Sequence, residues 1–185
     1  MSKQHDSQSH VSGHHRSASA PEEHKAHGPT SIVCGIITCS DTRTSKTDKS
    51  GQLIRELLTK EGHRIDAYHI IKDEPKDVQK LVQNLVQKQA IVAIIINGGT
   101  GISQRDSTFE AIDELLEKRL AGFGEIFRYL SYKDIGSSAI LSRATAGLYQ
   151  GKVIFSIPGS SGAVRLAMEA LIIPELSHIV GEIQK

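Results

Sequence analysis

From Ile91 to Ile96 the chain runs through six consecutive apolar residues, all but Ala93 β-branched, and then stops at Asn97-Gly98-Gly99-Thr100-Gly101. A run of this length and composition, with no polar alternation, is the pattern of a strand buried on both faces, and such a strand needs helices above and below its sheet. Ile32–Cys39 repeats the pattern and ends equally sharply, at Ser40-Asp41-Thr42-Arg43-Thr44. Between the two, Leu53, Ile54, Leu57 and Leu58 recur at helical spacing from Asp48 to Glu61, with Gly62 placed to end the helix. Arg64–Ile71 reads as a strand with unequal faces. A second stripe follows at Val78, Leu81, Val82, Leu85 and Val86, with Pro75 at its start, where a missing N–H costs nothing.

The second half is patterned less evenly. Ser107 and Glu110 have the spacing of a capping box for a helix that buries Ile112, Leu115 and Leu116, and a shorter helix is expected around Phe127 before Gly136. Ala144–Tyr149 and Lys152–Ile157 predict an antiparallel hairpin about Gln150-Gly151. Val164, Ala167, Met168, Leu171 and Ile172 predict a last helix that Pro174 should break or kink. Strand and helix alternate throughout, so the expected fold is α/β: a three-layer α/β/α sandwich around a mostly parallel mixed sheet.

Composition bounds the rest. Residues 1–30 hold six of the nine histidines, many serines, and only Met1, Val11 and three alanines as apolar residues. Such a segment cannot bury enough surface to offset its ordering entropy, so it is read as a disordered tail without a dedicated metal role. Residues 31–185 then form one domain. The 22 basic and 21 acidic residues leave a formal charge of +1, which gives no general reason to expect a nucleic-acid partner. The apolar runs fall far short of the roughly 20 residues that cross a bilayer, so no membrane partner is expected. Cys34 and Cys39, an odd number of positions apart on one strand, should face opposite sides of the sheet and form neither a disulfide nor a metal pair.

The residues that carry chemistry gather after the predicted strands. Gly98-Gly99-Thr100-Gly101 can expose several backbone N–H groups and a hydroxyl to a phosphate, or can be simply a tight turn; it is neither a Walker loop nor a dinucleotide fingerprint. Asp106 follows it and is read either as a Mg²⁺ ligand beside phosphates or as a helix cap. Asp73 is a second carboxylate after a strand, with Glu74 competing for its role. Asp41 is a third, with Ser40 and Thr42 as hydroxyl contacts. Arg105 either neutralises phosphate or faces solvent. Pro158-Gly159-Ser160 repeats the strand–loop–helix arrangement, and two phosphate-suited loops in one domain suggest a site that joins a phosphorylated small molecule to a nucleotide.

Taken together, Ser40-Asp41-Thr42-Arg43, Asp48-Lys49-Ser50-Gly51, Lys72-Asp73-Glu74, Gly98 through Thr108, Gly122-Phe123-Gly124-Glu125, Leu141 through Gly147 and Ser156 through Ser160 resemble the MoaB/MogA family of molybdenum cofactor biosynthesis, its MoaB branch most of all. The resemblance spans nearly all of residues 31–185. It implies that family's molybdopterin-binding fold and a cytoplasmic molybdopterin adenylyltransferase that uses ATP, with Mg²⁺ as cofactor. It also implies self-association into a homotrimer or homohexamer and contact with other proteins of the pathway. Asp73 and Asp106 would be the catalytic and metal-holding carboxylates. Gly98, Gly99, Thr100 and Gly101 would hold the nucleotide phosphates, and Ser40, Asp41, Pro158, Gly159 and Ser160 would belong to the wider site. Asn97 stands where the family often has Thr. The alternative within the same family is a non-catalytic pterin- or nucleotide-binding paralogue.

Overall fold

The computed structural model describes residues 28–185, so most of the expected 1–30 tail lies outside the described residues. Six strands form one sheet: β1 (Val33–Cys39), β2 (Arg64–Ile71), β3 (Ala93–Asn97), β4 (Lys118–Arg119), β5 (Thr145–Tyr149) and β6 (Lys152–Ile157). Their order is β2-β1-β3-β6-β5-β4. The first four in that order run parallel, and β5 and β4 add an antiparallel edge. Parallel neighbours cannot be joined by a tight turn, which is why helices α1 (Lys49–Lys60), α2 (Pro75–Val86) and α3 (Thr108–Leu115) intervene. The chain continues through α4 (Ala121–Ile135), a 3₁₀ turn (Gly136–Leu141), α5 (Ser161–Ala167), a π turn (Met168–Ile172) and α6 (Ile173–Ile183).

Successive side chains of a strand point to opposite faces, and the buried strands use both. Ile95 of β3, Cys34 and Ile36 of β1, and Phe155 of β6 pack with Ile54 and Leu58 of α1, Phe127 of α4, Val164 of α5 and Leu176 of α6. Ile94, Ile96, Ile37 and Ile154 face the other way, onto Val78, Val82 and Leu85 of α2 and Ile112 of α3. The three-layer expectation therefore holds, and so does the split of the cysteines: Cys34 lies in one core layer and Cys39 in the other, both as free thiols. His63 is buried and accepts the Ile32 N–H on Nδ1 at 3.3 Å; burial pulls its pKa below the ordinary histidine value, so its neutral form is the one built into the fold.

Three details depart from the sequence reading. The helix around Phe127 is not short: at 15 residues it is the longest of the described helices. It buries Gly124, Phe127 and Ser131 while exposing Ile126, Tyr129, Tyr132 and Ile135, so apolar residues on both faces blur its period. The expected capping box does not form, because the Ser107 hydroxyl turns to Asp73 and Glu110 pairs with Arg143. Pro174, by contrast, interrupts the α-helix as expected: α5 gives way to the π turn, and α6 restarts with the proline in its first turn. The Ile173 N–H reaches back five residues to the Met168 carbonyl, and this wide turn lets the proline enter at the start of α6. The two-residue edge strand β4 was not anticipated; a short, charged edge such as Lys118-Arg119 resists pairing with another chain. Among the described residues, no helix is long and apolar enough to cross a membrane.

Candidate active site

Parallel strands deliver their carboxyl ends to one side of the sheet, where ligands settle in such folds. Here the segments after β1, β2, β3 and β6 meet around a cavity of about 480 Å³, lined by Ser40, Asp41, Arg43, Asp73, Gly98 to Gly101, Arg105, Asp106, Pro158 and Gly159 among others. Of the residues singled out from sequence for the site, Glu74 falls outside this lining, and so does Ser160. Its hydroxyl oxygen accepts the Ala163 N–H at 3.2 Å and caps α5.

The glycine turn is shaped by what presses on it. Gly98 (φ +106°) and Gly99 (φ +58°) occupy backbone conformations that L side chains rarely adopt. The Cys39 carbonyl oxygen fills the place of a Cβ at Gly98, and the Asp73 carboxylate and Thr108 hydroxyl fill it at Gly99. Gly101 lies in the same way against the carboxylate of Asp106. Asp73 and Asp106 therefore flank one turn, although 33 positions separate them in the chain. Gly159 in turn packs on Gly98 so closely that an added Cβ would sit 3.0 Å from its Cα, which makes the two glycine turns one continuous wall.

Asp73 is buried, and its Oδ1 accepts the Thr108 hydroxyl at 2.9 Å, the Ser107 hydroxyl at 3.0 Å and the Ser107 N–H at 3.4 Å. These bonds fix the carboxylate and turn Oδ2 toward Gly99. Asp106 is half-buried; its Oδ2 accepts from the Ser103 hydroxyl at 2.6 Å and the Ser103 N–H at 3.1 Å, closing the turn 103–106, while Ser107 stands at the helix cap position. Asp41 is exposed and pairs with Arg105 at 2.9 Å, and Arg105 also holds Glu74 at 2.8 Å. The hydrogen bond from Arg105 keeps the Asp41 carboxyl below the ordinary carboxylate range. Arg105 is thus committed to two acids at the cavity rim. The Ser40 hydroxyl accepts the N–H groups of Thr42 and Arg43 and shapes its own loop.

Arg43 is the residue to which sequence reasoning assigns no role. Its Nη2 donates to the Gly159 carbonyl at 2.7 Å and its Nη1 reaches Ser50, Asp48 and Asn97. Beneath it Asp48 is fully buried, accepting hydroxyls from Thr38 and Tyr68 at 2.6 Å each and the Gly51 N–H at 3.0 Å. Burial alone would raise the Asp48 pKa, but these donors outweigh it and hold the carboxyl below its ordinary range. Asn97 is buried, and its side-chain amide donates to Thr38 Oγ1 at 2.9 Å and to the Ile37 carbonyl at 3.3 Å, so it ties β3 to β1 and does not line the cavity. The available signal was sequence proximity: Arg43 stands five residues before Asp48, which caps α1 at the end of the same loop.

Three carboxylates and two guanidinium groups line the cavity, one negative charge in excess. Phosphates would enter favourably only with a cation. Among the described residues no cluster of three or more His, Cys, Asp or Glu could cage a metal by itself. Two carboxylates flanking one turn would instead suit Mg²⁺, which takes one or two protein oxygens and completes its shell with phosphate and water. Cys39 lines the floor, and burial pushes its thiol up to about 12, so it is neutral and a poor nucleophile near pH 7.

Residues 35–178 match a family described as a probable molybdopterin binding domain. The chain is 56% identical over 165 residues to molybdenum cofactor biosynthesis protein B of Bacillus subtilis, covering 89% of this chain and 97% of that one. A crystal structure of a molybdenum cofactor biosynthesis protein B superimposes with a TM-score of 0.82 at 54% identity, over 84% of this chain and 98% of the other. The tungsten cofactor synthesizing protein MoaB of Pyrococcus furiosus does so with a TM-score of 0.77 at 36% identity, over 85% and 99%.

Proposed function

The chain belongs to the MoaB/MogA family of molybdenum cofactor biosynthesis proteins, and on that premise we propose that its strand-end cavity transfers the adenylyl group of ATP to the phosphate of molybdopterin, releasing diphosphate. The observation that carries this reading is the contact of Gly159 with Gly98: two glycine turns share one wall, with Asp73 and Asp106 pressed against the first of them. Two phosphorylated substrates need two such surfaces within bonding distance of each other.

In the reaction a molybdopterin phosphate oxygen forms a bond to the α-phosphorus of ATP, and the bond to the bridging oxygen breaks, with its electron pair leaving on diphosphate. The attacking phosphate is largely dianionic near neutral pH, so no general base is required, and among the described residues the cavity lining contains no histidine. Bound Mg²⁺ would supply charge neutralisation at the transferring and departing phosphates. Asp106 Oδ1 and Asp73 Oδ2, the oxygens left over from the bonds to Ser103, Ser107 and Thr108, would hold it. Arg43, immobilised by Asp48 and the Gly159 carbonyl, presents a fixed positive charge that costs no reorganisation as charge develops. The ion-paired Asp41, Arg105 and Glu74 order the rim.

Purified protein incubated with molybdopterin, ATP and Mg²⁺ should form adenylyl-molybdopterin and diphosphate in equal amounts. Binding of both substrates without product would replace this reading with the non-catalytic paralogue. Cytoplasmic residence is part of the proposal, as the family resemblance implies. So is self-association into a trimer or hexamer, supported by Ile126, Tyr129, Tyr132, Ile135 and Ile140 exposed together on α4 and the 3₁₀ turn. Light scattering should return three or six times the chain mass of 20.1 kDa; a monomer would remove that part.

A further inference from the structure

Arg143 enters none of the roles above, and it lies outside the cavity lining. It reaches the glycine turn from behind. Its Nε donates to the Thr100 carbonyl at 2.8 Å, Nη2 donates to the Gly101 carbonyl, and Nη1 pairs with Glu110 of α3. The guanidinium carbon stands 4.7 Å from the Phe109 ring centroid, so the fork is held in its plane by stacking as well. The Arg143 hydrogen bond keeps the Glu110 carboxyl below its ordinary range, which preserves the third arm as an ion pair.

Two consecutive carbonyls thus face one side chain. In a trans peptide the N–H points opposite to the C=O of the same plane, and none of the described peptide bonds is cis. The N–H of Gly101 shares its plane with the Thr100 carbonyl, and the N–H of Ile102 shares its plane with the Gly101 carbonyl. Both are therefore turned away from Arg143; Thr100 and Gly101 line the cavity, and Ile102 follows them as an exposed residue. Neither N–H has a hydrogen-bond acceptor among the described residues. Adjacent, unpaired N–H groups pointing the same way form an anion-binding concavity.

We propose that Arg143 is a positioning residue for the phosphate site: by holding the Thr100 and Gly101 carbonyls it aims the Gly101 and Ile102 N–H groups at a phosphate oxygen. This rests on the phosphate-binding reading of the cavity and assigns the donor pair within it. A lysine keeps the charge but cannot serve two carbonyls and a carboxylate from one planar fork. An arginine acting only through its charge would be replaced by lysine at little loss.

The test measures binding of Mg²⁺-tripolyphosphate and of Mg²⁺-ATP to the full chain, by calorimetry, for the wild type, Arg143→Lys and Arg143→Ala, together with steady-state turnover. Loss of two oriented donors should weaken tripolyphosphate binding about tenfold or more in both variants. In Arg143→Lys the KM for ATP should rise more than kcat falls. Millimolar guanidinium should restore part of the affinity of Arg143→Ala and none of that of Arg143→Lys, whose side chain occupies the space. Variants that fold as the wild type and bind tripolyphosphate as tightly would overturn the assignment of Arg143 and leave the cavity reading intact. So would a weakened Arg143→Ala beside a lysine variant of wild-type affinity. A wild-type protein that binds no polyphosphate would overturn both.

Discussion

Asp106→Asn is expected to lower turnover a hundredfold or more while leaving the fold in place, because it removes a charge the reaction uses and few contacts the fold needs. The carboxylate bonds only within its own turn, to the Ser103 N–H and hydroxyl, and an amide oxygen can accept both. What it cannot do is offset a cation held against Gly101 and two phosphorylated substrates; losing one preorganised charge at a reacting phosphate costs on the order of 10²–10³ in kcat. A steady-state assay beside a thermal melt separates the two effects. Wild-type turnover in Asp106→Asn would remove this residue from the chemistry. Asp73→Asn is the less selective probe. Asp73 is buried and satisfies Ser107 and Thr108, so its replacement should cost stability, roughly 1–3 kcal/mol, as well as rate.

The largest effect on stability is expected at Asp48. Its side chain is fully buried beneath Arg43, and Asp48→Ala would leave the Thr38 and Tyr68 hydroxyls and the Gly51 N–H without their acceptor and the Arg43 guanidinium without its counter-charge. Breaking a buried pair from one side costs about 3–5 kcal/mol. Urea unfolding monitored by circular dichroism should report a loss of that size, and a loss below about 1 kcal/mol would contradict the network. The same group sets an acid response. Its folded pKa is depressed, so its stabilisation is complete above the unfolded aspartate value near 3.9 and is lost as pH falls through the lower folded value. Wild-type stability should therefore fall more steeply below about pH 4 than that of Asp48→Asn.

The parts of this molecule that can be read from the chain are those where one physical requirement dominates. Ile94, Ile95 and Ile96 are β-branched and buried on both sides of the sheet, and nothing but a central strand accommodates them. The polar and glycine-rich residues that follow each parallel strand mark where the site gathers, because strand direction alone brings those ends together. The parts that cannot be read depend on register between distant segments. Thr38 of β1 lies beside Asn97 of β3, and only that pairing places the Asn97 amide between the Ile37 carbonyl and Arg43. Ser107 carries the local signal for a cap, but the Asp73 carboxylate offers its hydroxyl a better partner. α4 is obscured for a different reason: Phe127 faces the core while Tyr129 and Tyr132 face outward, so its sequence has no single apolar stripe.

One measurement decides whether a single cavity joins the two substrates: a crystal structure of the Asp106→Asn variant with adenylyl-molybdopterin bound. The linking phosphates should lie between the turn at Gly98–Gly101 and Gly159, with phosphoryl oxygens within hydrogen-bonding distance of the Gly101 and Ile102 N–H groups and Arg43 close to the same phosphates. An adduct seated elsewhere, for example against the exposed tyrosines of α4, would contradict the account.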